Sequence, residues 1–366
     1  MTPLTFWQQL AISAALIVVI VSVLLGLFSL MTWVERRLLA FMQFRLGPNR
    51  AGPLGLFQPI ADGIKLFFKE ELIPEQANKW AFLGAPVVAM TTALTSIAVL
   101  PYGPPITLPQ MRWLPEWLSW LSGRTIALQI ADLDVGVLYL FAVASLGVYG
   151  MVLAGWGANN KYTLMGGLRS SAQLFSYELA LGLSWVGVIL LADSLRIADI
   201  VASQASGNRW GLPGLLSWNC FVQFPAFVVY LLAATAEVNR IPFDVAEAEA
   251  ELVAGFHTEY GSMKFALIQM AEYVNMITVC VLATHLFLGG WLAPLPGLQQ
   301  VLGHDLGLFW FAGKVAALLF VFIWLRGTLP RVRYDQLMRF GWLVLIPVAV
   351  AWILVTATGV VLWGAR

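Results

Sequence analysis

Eight long apolar segments are spread along the chain, and they restrict its fold more than any other feature of the sequence. Each is long enough to cross a bilayer as a helix, which takes roughly 17–25 residues. Inside a bilayer every backbone N–H and C=O group needs an internal partner, so such segments are expected to be helical. The predicted spans are 10–33, 80–100, 134–156, 171–192, 220–237, 264–292, 307–327 and 341–363. The sequence therefore predicts an all-α polytopic membrane protein with about eight transmembrane helices.

The composition agrees with a membrane protein and excludes other classes. The chain has 366 residues, of which 60% are hydrophobic and 11% are charged, a balance unlike that of a soluble domain. Its net charge of +1 lacks the basic character that nucleic-acid binding requires, so no nucleic-acid partner is expected. No second domain, internal repeat or low-complexity linker is evident, and residues 1–366 are predicted to form a single transmembrane domain.

The distribution of Lys and Arg predicts how the helices are oriented. Fifteen of the 21 Lys and Arg residues lie in the loops 34–79, 157–170, 238–264 and 326–340, and five lie on the opposite side. Loops rich in Lys and Arg face the cytoplasm. We therefore expect both termini on the periplasmic side, with a cytoplasmic loop at 34–79 and an acidic cytoplasmic loop at 238–263.

The cytoplasmic loop 34–79 is too long for a simple turn and contains an amphipathic pattern. Apolar residues recur in it at helical spacing, and a polar stripe opposes them. The apolar stripe is Leu56, Ile60, Ile64, Phe67 and Phe68, and the polar stripe is Asp62, Lys65 and Lys69. This pattern predicts an amphipathic helix that lies on the membrane surface. A helix that simply packs on the bundle is the alternative.

Carboxylates are concentrated in and beside the acidic loop 238–263, although the chain has only 20 Asp and Glu. These residues are Glu237, Asp244, Glu247, Glu249, Glu251 and Glu259. Neighbouring carboxylates raise one another's pKa values, so the set can take up protons near neutral pH as a coupled group. A solvated acidic loop is the alternative. The interleaved apolar residues Ile241, Phe243 and Leu252 favour a folded, partly buried loop instead.

A second group of ionisable residues interrupts or ends the apolar segments. Its members are Glu35, Glu178, Glu237, Glu272 and Lys314. Such residues face protein or water and by default mark an ion or proton pathway. We therefore expect the carboxylates to form a chain leading inward from the acidic loop. Individually paired structural charges are the alternative, and the available counter-ions are Arg36, Arg37, Arg169 and Arg240.

Residues that commonly hold a redox centre or a metal are sparse. Cys220 and Cys280 are 60 residues apart and form no CxxC pair, so they cannot hold an iron–sulfur cluster or a four-ligand zinc site. The three histidines are widely spaced, and no nucleotide-binding motif is present. We therefore expect no catalytic residue, bound cofactor or metal site in this chain. Any electron transfer is expected to be carried out by a partner.

Four long stretches resemble the signature sequences of a known family. The first two are WVERRLLAFMQFRLGPNRAGPLGLFQPIADGIKLFFKEE (33–71) and GVYGMVLAGWGANNKYTLMGGLRSSAQLFSYEL (147–179). The others are AEVNRIPFDVAEAEAELVAGFHTEYGSMKFALIQMAEY (236–273) and RGTLPRVRYDQLMRFGW (326–342). Together they resemble the membrane subunit of respiratory complex I that houses the quinone chamber. One small departure lies at 157–160, where this chain reads Gly-Ala-Asn-Asn and the family usually reads Ala-Ser-Asn-Ser.

This resemblance implies roles for individual residues, none of them catalytic. The residues implied at the quinone chamber and its entrance are Glu35, Arg36, Arg45, Asp62, Asp244, Glu247, Glu249, Glu251, Arg331 and Arg333. The residues implied along a proton path toward neighbouring subunits are Glu178, Glu237, Glu272 and Arg169, and Lys314 is assigned to the same path because it interrupts an apolar segment. The amphipathic helix that carries Asp62 would frame the entrance.

The resemblance also implies a function and partners. The chain would be a subunit of a proton-pumping NADH:quinone oxidoreductase, a translocase of the bacterial inner membrane. Quinone would be the substrate, and partner subunits would hold FMN and the iron–sulfur clusters. The implied partners are the peripheral-arm subunits with the quinone site and the terminal iron–sulfur cluster, antiporter-like membrane subunits, and lipid. The alternatives are the membrane anchor of a related membrane-bound hydrogenase and a stand-alone proton or cation transporter.

Overall fold

A computed structural model describes residues 5–107, 122–205, 214–244, 253–294 and 306–364 of the chain. The α-helices are α1 (Phe6–Met42), α2 (Gln58–Phe68), α3 (Lys79–Ser96), α4 (Gly136–Gly157), α5 (Lys161–Ala192), α6 (Ile197–Ala205), α7 (Asn219–Val222), α8 (Phe224–Glu237), α9 (Ser262–Phe287), α10 (Gly307–Thr328), α11 (Tyr334–Phe340) and α12 (Ile346–Gly364). A π-helix, Gly341–Leu345, joins α11 to α12. Two short strands, β1 (Ile106–Thr107) and β2 (Thr125–Ile126), pair in antiparallel fashion.

Seven helical stretches in the described residues are long and apolar enough to cross a membrane. They are Phe6–Met42, Lys79–Val99, Gly136–Gly157, Lys161–Ala192, Ser262–Phe287, Gly307–Thr328 and Tyr334–Leu362. Each overlaps a predicted span. The remaining predicted span, 220–237, contains α8, which has 14 residues. Such a helix is about 21 Å long, shorter than the roughly 30 Å hydrocarbon core. The chain is an all-α polytopic membrane protein, as the sequence predicts.

α1 and α5 are among the helices that extend beyond the apolar segments into regions predicted as loops. α1 continues to Met42, so Glu35 and Arg36 lie in its final turns. α5 begins at Lys161, where the side chain of Asn160 accepts a hydrogen bond from the backbone N–H of Tyr162 at 3.1 Å. Hydropathy marks where an apolar segment ends, whereas a helix ends where its backbone hydrogen bonds do. The polar turns of both helices were therefore missed by the hydropathy pattern.

The helices differ greatly in how much protein surrounds them. In α5 and α9, 61% of the residues in the most apolar window are buried, whereas the figure for α1 is 6%. α5 and α9 therefore form the centre of the bundle, and most of α1 faces outward. Because a charged side chain inside a membrane is stable only next to protein or water, α5 and α9 are suited to carry ionisable residues.

The end of α4 approaches two other helices closely because it carries glycine. A Cβ atom on Gly155 would lie 2.7 Å from the carbonyl oxygen of Thr163, at the start of α5. A Cβ atom on Gly157 would lie 2.8 Å from the backbone nitrogen of Phe82 on α3. Small residues let helices pack at short range in membranes. These two glycines therefore fix α4 between α3 and α5, and the cavity described below lies along these helices.

Candidate functional site

Glu35 is the centre of a buried ion cluster. Its side chain is only 4% exposed. Its Oε1 accepts hydrogen bonds from Nη1 of Arg240, at 3.2 Å, and from Arg326, while its Oε2 accepts one from the hydroxyl of Tyr273, at 2.6 Å. The guanidinium of Arg240 also lies 4.4 Å from the centroid of the Tyr273 ring. A buried carboxylate requires partners of this kind, because an unpaired buried charge costs several kcal/mol.

The cluster joins four segments that are distant in the sequence. Glu35 lies near the end of α1, Tyr273 on α9 and Arg326 on the last turn of α10. Arg240 follows α8, and its backbone N–H donates to the carbonyl oxygen of Thr235 at 3.2 Å, which folds the chain back at that helix end. The cluster therefore stabilises the contact of α1 with the rest of the bundle.

The predicted amphipathic helix is present as α2, and it attaches to α1 next to the ion cluster. Nη1 of Arg36 donates to Oδ2 of Asp62 at 2.7 Å, and Nε2 of Gln58 donates to Oδ1 of Asp62 at 3.2 Å. No residue of α2 is buried, and its apolar side chains Ile60 and Ile64 are more than half exposed. α2 is thus held by its polar side, and its apolar stripe is left uncovered by the described part of this chain.

The segment between α1 and α2 folds back onto α1. Nη1 of Arg37 and Nε1 of Trp33 both donate to the carbonyl oxygen of Leu54, at 2.7 and 3.1 Å. Arg45 is exposed at the start of this segment, and its backbone N–H donates to the carbonyl oxygen of Ala40 at 2.9 Å. These contacts bring the Arg-rich end of α1 together with the segment that precedes α2.

Asp244 is buried at the start of the acidic loop and is held by two other parts of the chain. Its Oδ2 lies 3.0 Å from Nη2 of Arg331. The backbone N–H of Val332 donates to the carbonyl oxygen of Pro242 at 3.0 Å. The side-chain amide of Gln173, on α5, donates to two backbone carbonyls beside the loop at 2.8 and 2.7 Å. The predicted loop residues that lie outside the described residues are Glu247, Glu249 and Glu251.

A cavity of about 90 Å³ is lined by residues of α3, α4, α5, α8 and α9. Glu178, Glu237 and Glu272 all line it, each contributed by a different helix. A cavity volume of about 10–15 Å³ is enough to hold one water molecule, so this cavity has room for several. The structure thus brings together three of the predicted proton-path carboxylates, and Glu35 lies in its own cluster outside this cavity.

Polar groups that line the cavity are only partly satisfied by hydrogen bonds within the described residues. Glu178 accepts a hydrogen bond from the hydroxyl of Ser145. Among the described residues, neither Oε2 of Glu237 nor Nε1 of Trp185 has a hydrogen-bond partner, although both atoms are buried. Buried polar atoms are ordinarily satisfied by protein or by ordered water. Carboxylates that share a cavity with room for water can bind and exchange protons.

Two other predicted site residues lie around these clusters rather than in the cavity. The guanidinium of Arg169, on α5, is 5.8 Å from the centroid of the Tyr334 ring. Nε of Arg333 lies 3.1 Å from Oδ1 of Asp335, and both side chains are largely exposed. Within the described residues, no group of three or more His, Cys, Asp and Glu side chains is placed to hold a metal ion.

Lys314 is not among the residues that line the cavity, and it binds the turn that follows α9. Its Nζ donates to the carbonyl oxygens of Leu288, Gly290 and Leu292 at 2.7, 2.9 and 2.6 Å. The same atom lies 4.0 Å from the centroid of the Trp218 ring. Carbonyls at a helix C-terminus lack intrahelical partners and attract cations. These contacts indicate that Lys314 stabilises this turn.

Lys314→Met is expected to lower the free energy of unfolding by about 3 kcal/mol. Three carbonyls lose a charged donor whose hydrogen bonds contribute about 1.5–3 kcal/mol each, and removing the cost of burying the lysine charge offsets part of that loss. Thermal unfolding of the purified complex measures this loss. The matched control is Lys65→Met, since Lys65 is exposed and lies 3.8 Å from Asp62. A variant of Lys314 with normal thermal stability but slowed proton translocation would instead assign this lysine to the proton path.

Sequence reasoning found Glu35 and one counter-ion, Arg240, but not its other partners. Arg326 ends an apolar segment like many interfacial arginines, and Tyr273 directly follows Glu272. Adjacent residues of a helix point about 100° apart, since a helix has 3.6 residues per turn. This rotation lets Glu272 line the cavity while Tyr273 binds Glu35. No local signal in the sequence distinguishes Tyr273 as a partner of Glu35.

Comparison with known proteins agrees with this architecture. A family model described as NADH dehydrogenase matches residues 14–357. The NADH-quinone oxidoreductase H subunit 2 of Koribacter versatilis is 48% identical over 361 residues, which cover 96% of this chain and 99% of that protein. The NADH-quinone oxidoreductase H subunit 1 of Geobacter sulfurreducens is 50% identical over 345 residues, which cover 94% and 93% of the two chains. The chain therefore belongs to the family of NADH-quinone oxidoreductase H subunits, which are membrane components of the multi-subunit enzyme complex I.

Proposed function

We propose that this chain forms much of the quinone-binding chamber of complex I and couples quinone reduction to proton translocation through its carboxylates. The observation that carries the proposal is the cavity lined by Glu178, Glu237 and Glu272. Three carboxylates in a buried site of this kind are costly, and ionisable residues kept at such a cost inside a membrane by default mark an ion or proton pathway. The burial of Glu35 among two arginines and a tyrosine adds a charged cluster near the proposed chamber.

The chamber and its entrance are proposed to lie where α1, α2 and the acidic loop meet. The residues assigned to them are Glu35, Arg36, Arg45, Asp62, Asp244, Glu247, Glu249, Glu251, Arg331 and Arg333. α2 would lie on the membrane surface, and its uncovered apolar stripe supports this position. Quinone dissolves in the bilayer, so an opening beside α2 gives it a route from the lipid into the chamber.

The coupling step rests on charge balance. Reducing a quinone to a quinol takes two electrons and two protons, and the electrons would come from an iron–sulfur cluster of a partner subunit. The protons would be supplied from the chain's acidic loop, so their removal changes the charge near Asp244 and the start of that loop. Glu237 ends α8, seven residues before Asp244, and it also lines the cavity. A change of charge in the loop is thus passed to Glu178 and Glu272 through Glu237 and bound water.

The proposed role also predicts the location of the enzyme and its partner subunits. The enzyme would be a proton-pumping translocase in the bacterial inner membrane, with both termini of this chain on the periplasmic side. Peripheral-arm subunits would carry FMN and the iron–sulfur clusters, and antiporter-like membrane subunits would continue the proton path from Glu272. Arg169 is assigned a place beside the path because it lies on α5, as Glu178 does.

The test of the chamber is Ile64→Trp, which adds bulk to the exposed stripe of α2. We expect the KM for a long-tailed quinone to rise more than that for a short-tailed one, because the long tail must pass the entrance. Steady-state kinetics of the assembled complex with both quinones measures the difference. The matched control is Val19→Trp on α1, since Val19 is 58% exposed and Ile64 is 55% exposed. Equal effects of Ile64→Trp on both quinones would remove the proposed entrance.

A further inference from the structure

α2 is attached to the chain at two points, and the two attachments involve different helices. Near its middle Asp62 binds Arg36 of α1, at 2.7 Å. At its C-terminal end it contacts the first turn of α9, the helix that also carries Glu272 and Tyr273. No residue of α2 is buried, so hydrogen bonds and ion pairs, rather than a packed core, determine its position on this chain.

Ser262 provides the first of these contacts at the end of α2. Its hydroxyl is shared between the carbonyl oxygens of Leu66 and Lys69, both at 2.9 Å. The last carbonyls of a helix have no intrahelical partner, so a side chain of another helix that binds them acts as a cap. Ser262 is 1% exposed, and its φ of 55° lies in the left-handed region, which L-residues rarely adopt. The backbone at the start of α9 is therefore held in an unusual conformation that aims this hydroxyl at α2.

A buried lysine provides the second contact. Lys264 is 6% exposed, and its Nζ lies 3.5 Å from Oε2 of Glu71, just beyond α2. The same Nζ is 5.3 Å from the centroid of the Phe82 ring on α3. A lysine is rarely so buried unless it is paired. Lys264 thus joins the chain segment after α2 to α9.

We propose that Ser262, Lys264 and Glu71 form a latch that positions α2 against α9 and sets the affinity of the chamber for quinone. The proposal rests on the function proposed above, in which α2 frames the entrance. α9 connects the latch to the carboxylates, because Glu272 follows Ser262 by ten residues, or about 15 Å along the helix. A displacement of α2 by quinone is therefore passed through one rigid helix to the cavity and to the Tyr273–Glu35 contact.

The latch makes Ser262 a positioning residue, and its signature is a change in KM with little change in kcat. Ser262→Ala removes the hydroxyl and keeps the Cβ atom. If α2 is less often in the position that admits quinone, the apparent affinity for quinone falls in proportion. We expect the KM for a long-tailed quinone to rise roughly two- to tenfold, the range that one hydrogen bond accounts for. Steady-state kinetics of the assembled complex in proteoliposomes measures both constants.

The matched control is Ser184→Ala, because the hydroxyl of Ser184 is equally buried but bonds within its own helix, to Leu181 at 2.6 Å. It should leave the KM unchanged. A purely structural role of Ser262 would reduce the amount of assembled complex without changing the KM of the complex that remains. Glu71→Gln tests the latch at an exposed side chain and remains informative if Ser262→Ala prevents assembly. It too should raise the KM.

The outcomes separate the latch from the proposed function. A raised KM in Ser262→Ala or Glu71→Gln, with normal kinetics in the control, supports the latch. An unchanged KM in both variants overturns it, and in that case an effect of Ile64→Trp on long-tailed quinones would leave the proposed chamber intact. If Ile64→Trp also has no effect, both the chamber entrance and the latch are rejected.

Discussion

Glu35→Gln is expected to lower the free energy of unfolding by about 3 kcal/mol, because removing one partner of a buried ion pair leaves an uncompensated charge. Arg240 and Arg326 would both lose their carboxylate, and the contact between α1 and the bundle would weaken. Arg326 is about one-third exposed, so water offsets part of its loss, and the lower end of the usual range applies. Thermal unfolding and the yield of assembled complex measure the effect.

The neighbouring residue gives the control for Glu35. Arg36→Gln removes an ion pair in which the arginine side chain is 54% exposed, so the expected loss is below about 1 kcal/mol. The double variant Glu35→Gln with Arg240→Gln removes both charges of this pair and leaves Arg326. It should be less destabilised than the sum of the two single variants. Equal losses in Glu35→Gln and Arg36→Gln would contradict the buried cluster described here.

Glu178→Gln and Glu272→Gln are each expected to slow quinone reduction by the coupled enzyme roughly a hundredfold, the lower limit for loss of a positioned proton-transfer group. Gln keeps the shape of Glu and its hydrogen bonding, so the fold should be retained. The two residues line one cavity and are proposed to act in series, so the double variant should be scarcely slower than the poorer single one. Turnover with NADH and quinone in proteoliposomes measures these rates.

Electron transfer to an artificial acceptor at the peripheral arm separates the proton path from general damage. It should be unaffected in both variants, because the proposed electron carriers all lie in partner subunits. Glu75→Gln serves as a control, since Glu75 is exposed and does not line the cavity. Full additivity of the two losses in log rate would mean that Glu178 and Glu272 act independently, and a single proton path would have to be abandoned.

Hydropathy located the membrane-spanning helices well where a helix ends at its apolar edge. The predicted span 307–327 corresponds to Gly307–Thr328, and 134–156 corresponds to Gly136–Gly157. Hydropathy did not locate the C-terminal end of α1 or the N-terminal end of α5, because these helices continue through charged turns. α8 is a further exception, since its apolar segment is long enough to span but its helix has only 14 residues. Apolar length therefore predicts where a helix exists, and capping and tertiary contacts determine where it ends.

The amino-acid sequence by itself determined the membrane class, the location of seven long helices among its eight predicted spans, and the positions of ionisable residues along them. These depend on local composition, which restricts each segment without regard to its neighbours. Only the tertiary structure decided which charges meet. Glu35 binds Arg240, Tyr273 and Arg326, which are 205, 238 and 291 residues away. Glu272 and Tyr273 are adjacent, yet one lines the cavity and the other binds Glu35. Such pairings depend on how each helix is rotated and packed against the others, and no local pattern in the chain contains that information.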